Sequence, residues 1–152
     1  MELELDKDRF LSFIETGIGL PEDNLVRLIP HNTNWAKVFA DEAIRIHNAL
    51  KINSLKLHHG GSTAIPHIVA KPIIDIIGEI DHLEELDNNK EALEKIGYEY
   101  KGEYGIKNRR YSVLYNLKKS IAYCHLHVFK TNSQELADHL IFKNYLILKP
   151  HR

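Results

Sequence analysis

The stretch IIDIIGEI, from Ile73 to Ile80, restricts the fold of this chain more than any other. Its β-branched residues would point to both faces of a strand, so both faces must be covered, as they are inside a sheet. The exception is Asp75, whose ionised carboxylate costs several kcal/mol to bury unless a cation, a metal ion or hydrogen-bond donors balance it. It reads either as half of a salt bridge, to Lys71 or to an arginine from elsewhere, or as a divalent-metal ligand.

The segment before this strand carries the second constraint. SLKLHH alternates like a strand and stops at Gly60-Gly61, after which come Ser62 and Thr63. Paired glycines at a strand end let backbone N–H groups approach an anion such as phosphate, because no Cβ intervenes. The same residues also describe an ordinary turn with a serine cap.

Around these segments the periodicities predict further elements. Asp8 to Glu15 reads as a helix, in a segment ending at GIGLP that forms an appendage (residues 1–24) ahead of the main domain (residues 25–152). After LVRLIP, the residues Trp35, Phe39, Ala43, Ile46 and Leu50 recur at the spacing of one helix face. Asp81 and Glu84 have capping-box spacing for a helix reaching Ile96, with Gly97 to end it. YEYKGEY, RRYSVLYNL and AYCHLHVFK predict a meander of antiparallel strands, and Leu136, Leu140 and Tyr145 a closing helix. The order predicts an α/β or α+β architecture: a mixed sheet with helices packed on it.

Composition narrows the function. Twenty Lys and Arg against 21 Asp and Glu give a net charge of -1, which argues against bulk attraction to nucleic acid or anionic lipid, so any phosphate must be held locally. The apolar runs fall short of the roughly 20 residues that span a bilayer. A single cysteine, Cys124, and a start without a basic, apolar leader pattern lead us to expect a reducing cytoplasm.

Ten histidines invite a metal or proton-transfer reading. His125 and His127, two apart on one strand, share a face and meet Asp75 if the two strands are neighbours. Two imidazoles and one carboxylate suit Zn, Mn or Fe better than Mg. Otherwise the pair caps the sheet or hydrogen-bonds a loop. Arg109 and Arg110 open another strand, where the planar fork of arginine suits phosphate, and alternation sends the two to opposite faces. Tyr104, Tyr111 and Tyr115 serve either as packing or as a surface on which a base stacks.

The run Gly61-Ser62-Thr63-Ala64-Ile65-Pro66, followed by Ala70-Lys71-Pro72-Ile73-Ile74-Asp75-Ile76, resembles the signature of the GrpB family. Leu28-Ile29-Pro30, Trp35 with Phe39, Gly97-Tyr98-Glu99-Tyr100, Arg109-Arg110-Tyr111, His125-Leu126-His127-Val128 and His139-Leu140 with Phe142 to Leu146 resemble the family's other blocks, in its order. The resemblance covers Val26 to Leu146. It implies a nucleotidyltransferase-like fold of the DNA polymerase beta-like group, in which a Gly-Ser turn holds a triphosphate and strand carboxylates hold divalent metal.

The residue reading and the resemblance together lead us to expect Gly61, Ser62 and Thr63 as the anion cradle, with Lys71 and one arginine of the 109–110 pair on phosphate. Asp75 would be the metal ligand, and His125 and His127 would complete a catalytic, metal-holding set. The expected ligands are a divalent metal (Mg or Mn, with Zn also suited) and a nucleotide or phosphorylated small molecule. Where the nucleotidyltransferase pattern has a second carboxylate two residues on, this chain has Ile77, and Glu79 stands about 13 Å further along the strand. A metal-dependent hydrolase and a non-catalytic ligand-binding module are the alternatives.

Overall fold

In a computed structural model the described residues are 7–21 and 27–140. The chain runs α1 (Lys7–Glu15), β1 (Leu20–Pro21), α2 (Trp35–Leu50), β2 (Lys56–Gly60), a 3-10 turn (Ser62–Ala64), β3 (Ile74–Ile80), α3 (Leu83–Asn88), α4 (Lys90–Lys95), β4 (Tyr98–Gly102), β5 (Arg109–Tyr115) and β6 (Ile121–Lys130). A further helix, α5, includes residues 134–140, where the described residues end. Tyr145 and the block from Phe142 to Leu146 lie outside the described residues.

Among the described residues six strands form one mixed sheet in the order β2-β3-β6-β5-β4, with the short β1 also pairing with β6. β4, β5 and β6 are the expected antiparallel meander. β3 lies antiparallel to β2 and parallel to β6, so a strand from the first half of the chain is joined edge to edge with one from the second half.

The two faces of this sheet differ because its strands alternate. On one face, Ile74, Ile76, Ile80, Leu114, Cys124, Leu126 and Val128 form the main core with Phe13 of α1, Trp35, Val38 and Ile46 of α2, and Leu86 and Leu93 of α3 and α4. Trp35 and Ile46 are fully buried, each burial contributing on the order of 1.5–3 kcal/mol. The other face carries two small apolar clusters. Ile77 and Phe129 pack under Leu136 and Leu140 of α5, and Ile73, Val113 and Ala122 pack with Leu20 and Tyr115. Asp75 and the two histidines lie between them.

The described part of the segment before residue 25 is built into the main core. Phe13 is 1% exposed, and the Trp35 indole N–H donates to the Thr16 carbonyl at 2.9 Å. Arg9 donates to both oxygens of Glu42 at 2.8 and 2.9 Å, a pair in which neither side chain is exposed. The Tyr98 hydroxyl also donates to Glu42, which draws α1, α2 and β4 together.

The expected single helix from Asp81 is instead two. α3 begins at Leu83 with His82 at its cap, one residue beyond the position a capping box at Asp81 needs, and no side-chain cap bond forms. The helix breaks at Asn89, whose side-chain amide donates to the Glu85 carbonyl at 2.7 Å, and restarts as α4. Gly97, at φ 101°, ends it as expected.

Candidate functional site

Register places the site. Asp75 of β3 stands directly across from His125 of β6, and Gly60 lies on the other side of Asp75. Residue 77, the next on the same face of β3, pairs with His127, so both imidazoles share the face of the carboxylate. His125 Nδ1 lies 3.6 Å and His127 Nε2 3.5 Å from the same oxygen, Asp75 Oδ1. One ligand atom from each residue falls within 4.8 Å of the others. The side chains are 30% (Asp75), 27% (His125) and 17% (His127) exposed, sunk in the sheet yet open to a small ligand.

The electrostatics suit this geometry. Burial alone would raise the Asp75 carboxyl, but the two facing imidazoles outweigh it and hold the group well below the usual carboxylate range. Burial pulls His127 below the ordinary histidine value despite the nearby Asp75, which favours a neutral ring with a lone pair.

The Gly60-Gly61 turn presses against the carboxylate. Gly61 has φ 63° and ψ −170°, a region essentially reserved to glycine. A Cβ there would meet Asp75 Oδ2 at 2.4 Å, so a larger residue would push the carboxylate out of place. Ser62 is exposed beside it. Thr63 points inward, where its hydroxyl is 2.9 Å from Nε2 of His59, whose ring stacks on Phe39. A cleft of about 400 Å³ opens here, with Ser62, Thr63, Lys71, Asp75 and His125 as its polar lining. The structure thus brings Gly61, Ser62, Lys71, Asp75, His125 and His127 to one place, with Thr63 as a brace of the turn.

The arginine pair divides as alternation requires. Arg110 lies on the helix-covered face and donates to Asp87 of α3 at 2.8 and 3.1 Å, away from the site. Arg109 is on the site's face, only 6% exposed, with its guanidinium 3.4 Å from His127 Nδ1 and stacked 4.4 Å over the Tyr111 ring. Tyr111 contacts both histidine rings and stacks on Tyr104. The Lys101 ammonium lies 5.5 Å from the centre of the Tyr115 ring.

Two contacts escaped the sequence reading. His139 of α5 brings its ring within 6.2 Å of that of His127, and Arg109 bonds to His127 directly. Neither pairing leaves a mark in spacing, since each joins elements whose packing the strand periods do not specify.

A mixed sheet of this order, with α1 to α4 on one face and a polar cluster beside α5 on the other, has a nucleotidyltransferase-like fold. The Cid1 poly(U) polymerase, in its MgGTP-bound crystal structure, shares the fold with a TM-score of 0.54 at 14% identity, over 94% of this chain and 42% of that one. The crystal structure of the conserved protein GrpB from Enterococcus faecalis is more similar, with a TM-score of 0.75 and 38% identity over 82% of this chain and 74% of that one. The family profile described as GrpB protein matches residues 25–152. The chain belongs to the GrpB family. It is also 34% identical over 126 residues to the UPF0157 protein YqkA of Bacillus subtilis (strain 168), covering 83% of this chain and 36% of YqkA's own length.

Proposed function

We propose that the chain binds a nucleotide or another phosphorylated small molecule through one divalent metal ion, and that transfer of a nucleotidyl group is its reaction. The observation that supports this most is the meeting of Asp75, His125 and His127 beside the Gly61-Ser62 turn, with ligand atoms within 4.8 Å of one another.

The donor set fits a metal. One carboxylate and two imidazoles suit a single Mn or Zn ion better than Mg. Ile77, 3% exposed, fills the position of a second strand carboxylate, and Glu79 is engaged 2.9 Å from His58, so a two-ion arrangement finds no support. When bound, the ion would supply charge neutralisation and Lewis acidity at a phosphate oxygen. The chain's own groups do the rest. Gly61 leaves room for the Asp75 carboxylate to sit against the turn, Lys71 offers a positive charge, and Arg109 offers a planar fork from the Tyr111 side. Cid1 is described in complex with MgGTP, which makes nucleoside triphosphates the first ligands to offer.

The test is a thermal-shift series on the wild type and Asp75→Asn with ATP, GTP, CTP and UTP, each with Mg, Mn or Zn, together with a pyrophosphate assay. A ligand at 100 times its Kd adds about 2.7 kcal/mol. A nucleotide shift lost in Asp75→Asn, with pyrophosphate release, is the expected result; saturating nucleotide and metal with neither effect sinks the reading. The missing second carboxylate favours, as a second reading, a single-metal hydrolase of phosphate esters, which would retain a transition metal through purification and release phosphate rather than pyrophosphate. We place this activity in the reducing cytoplasm, where the buried free thiol of Cys124 would persist.

A further inference from the structure

We propose that Arg109 is a positioning residue that sets the tautomer of His127, so that the triad holds metal tightly only when an anionic ligand draws the guanidinium away. The inference rests on the metal reading above and adds to it that metal and anion bind as a cooperative pair.

The argument begins with donors and acceptors. Arg109 is 6% exposed, and among the described residues its acceptors are the Tyr104 carbonyl at 3.0 Å, the Glu103 carbonyl at 3.3 Å and His127 Nδ1 at 3.4 Å. Its Nε is buried without a partner. A guanidinium has donors only, so His127 Nδ1 must present its lone pair to Arg109. In the neutral ring the proton then sits on Nε2, which faces Asp75 Oδ1 at 3.5 Å. This arrangement is self-consistent without metal: a cation gives to Nδ1, and Nε2–H faces a carboxylate.

It is also incompatible with metal on Nε2. A metal needs the lone pair on that nitrogen, which moves the proton to Nδ1 and points it at the N–H groups of Arg109. Histidines that hold metal ordinarily give their other N–H to an acceptor, and here the neighbour is a donor. Two states follow. In one, Arg109 holds Nδ1 and the metal is disfavoured. In the other, metal occupies Nε2, Nδ1 carries the proton, and Arg109 has left.

Leaving strips a buried cation of one of its acceptors, which is unfavourable unless a new anion takes that place. A phosphate in the cleft would do so. The Tyr111 ring, 4.4 Å beneath the guanidinium and in contact with both histidines, offers a surface along which the cation can slide without losing its aromatic contact. Because metal and anion favour the same state, each tightens the other by the same factor.

The test is a set of Mn2+ titrations of the wild type, Arg109→Gln and Arg109→Lys, read by loss of the free-ion EPR signal, with and without inorganic phosphate. Gln offers an amide oxygen to Nδ1–H, whereas Lys keeps a donor there. The expected result is an affinity about tenfold tighter in Arg109→Gln without phosphate, little changed by adding it, with wild type and Arg109→Lys weak until phosphate is present. Histidine 15N spectra of the metal-free proteins should show His127 protonated on Nε2 in the wild type and on Nδ1 in Arg109→Gln. A wild type that binds Mn2+ as tightly as Arg109→Gln, or Gln and Lys variants that behave alike, overturns the coupling and leaves the metal reading standing. No Mn2+ binding by any of the three overturns both.

Discussion

Gly61 shows how closely the turn and the carboxylate are fitted. Its φ of 63° with ψ of −170° strains any other residue, and an added methyl would lie 2.4 Å from Asp75 Oδ2. Gly61→Ala is therefore expected to lower stability by about 1–3 kcal/mol in urea denaturation, and to weaken Mn2+ binding by displacing Asp75. Thr63 tests the opposite side of the turn: with its hydroxyl 2.9 Å from buried His59, Thr63→Val removes that hydrogen bond and should cost about 0.5–1.5 kcal/mol in urea denaturation. At this scale the sequence was informative where period two applies. His125 and His127 were readable as one face because strand residues two apart must share it, whereas their meeting with Asp75 depended on two strands being neighbours, which spacing alone does not decide. The inward aim of Thr63 was not readable, since the 3-10 turn that carries it obeys neither strand nor helix spacing.

Among the elements, α1 depends on a charge pair for its place. Arg9 and Glu42 are both fully shielded, and burial, which would lower the guanidinium, is outweighed by Glu42, which raises it. Glu42→Gln leaves a buried cation facing an amide and is expected to destabilise the fold by about 3–5 kcal/mol, visible as a lower midpoint in thermal or urea unfolding. If the loss stays below about 1 kcal/mol, the pair does not carry α1. The helix itself was expected over Asp8 to Glu15, but its partner was not, because Arg9 and Glu42 lie in different elements and charge alone does not choose between acids. The break at Asn89 was missed for a related reason: asparagine's side chain competes for a carbonyl one turn back, an option that hydrophobic periodicity does not record.

For the molecule as a whole, acid should act through the open face. The folded protein holds His127 below its usual value, so the unfolded chain binds that proton more readily. Stability is then full above about pH 6.5, the unfolded histidine value, and declines as pH falls towards the lower folded value. Asp75, also depressed, adds a second loss that starts near the unfolded carboxylate value of about 3.9 and continues downward. Urea midpoints measured between pH 8 and pH 5, with His127→Gln as control, should fall in the wild type and stay flatter in the variant. The sheet, its meander and its helical cover followed from periods and turns, whereas the parallel union of β3 with β6 did not, because no local pattern names a distant partner. That union also sets a clock. Asp75 and His125 come from opposite ends of a long stretch of chain, with β4 and β5 threaded between them. The hairpins of the meander close over short loops, while the β3–β6 seam must wait for a slower, entropically costlier closure. On the ribosome, a chain emerging N-terminus first shows Asp75 to the solvent long before either histidine exists as a neighbour. Under the proposed function, capture of metal would thus mark the moment at which β6 has been delivered and docked against β3.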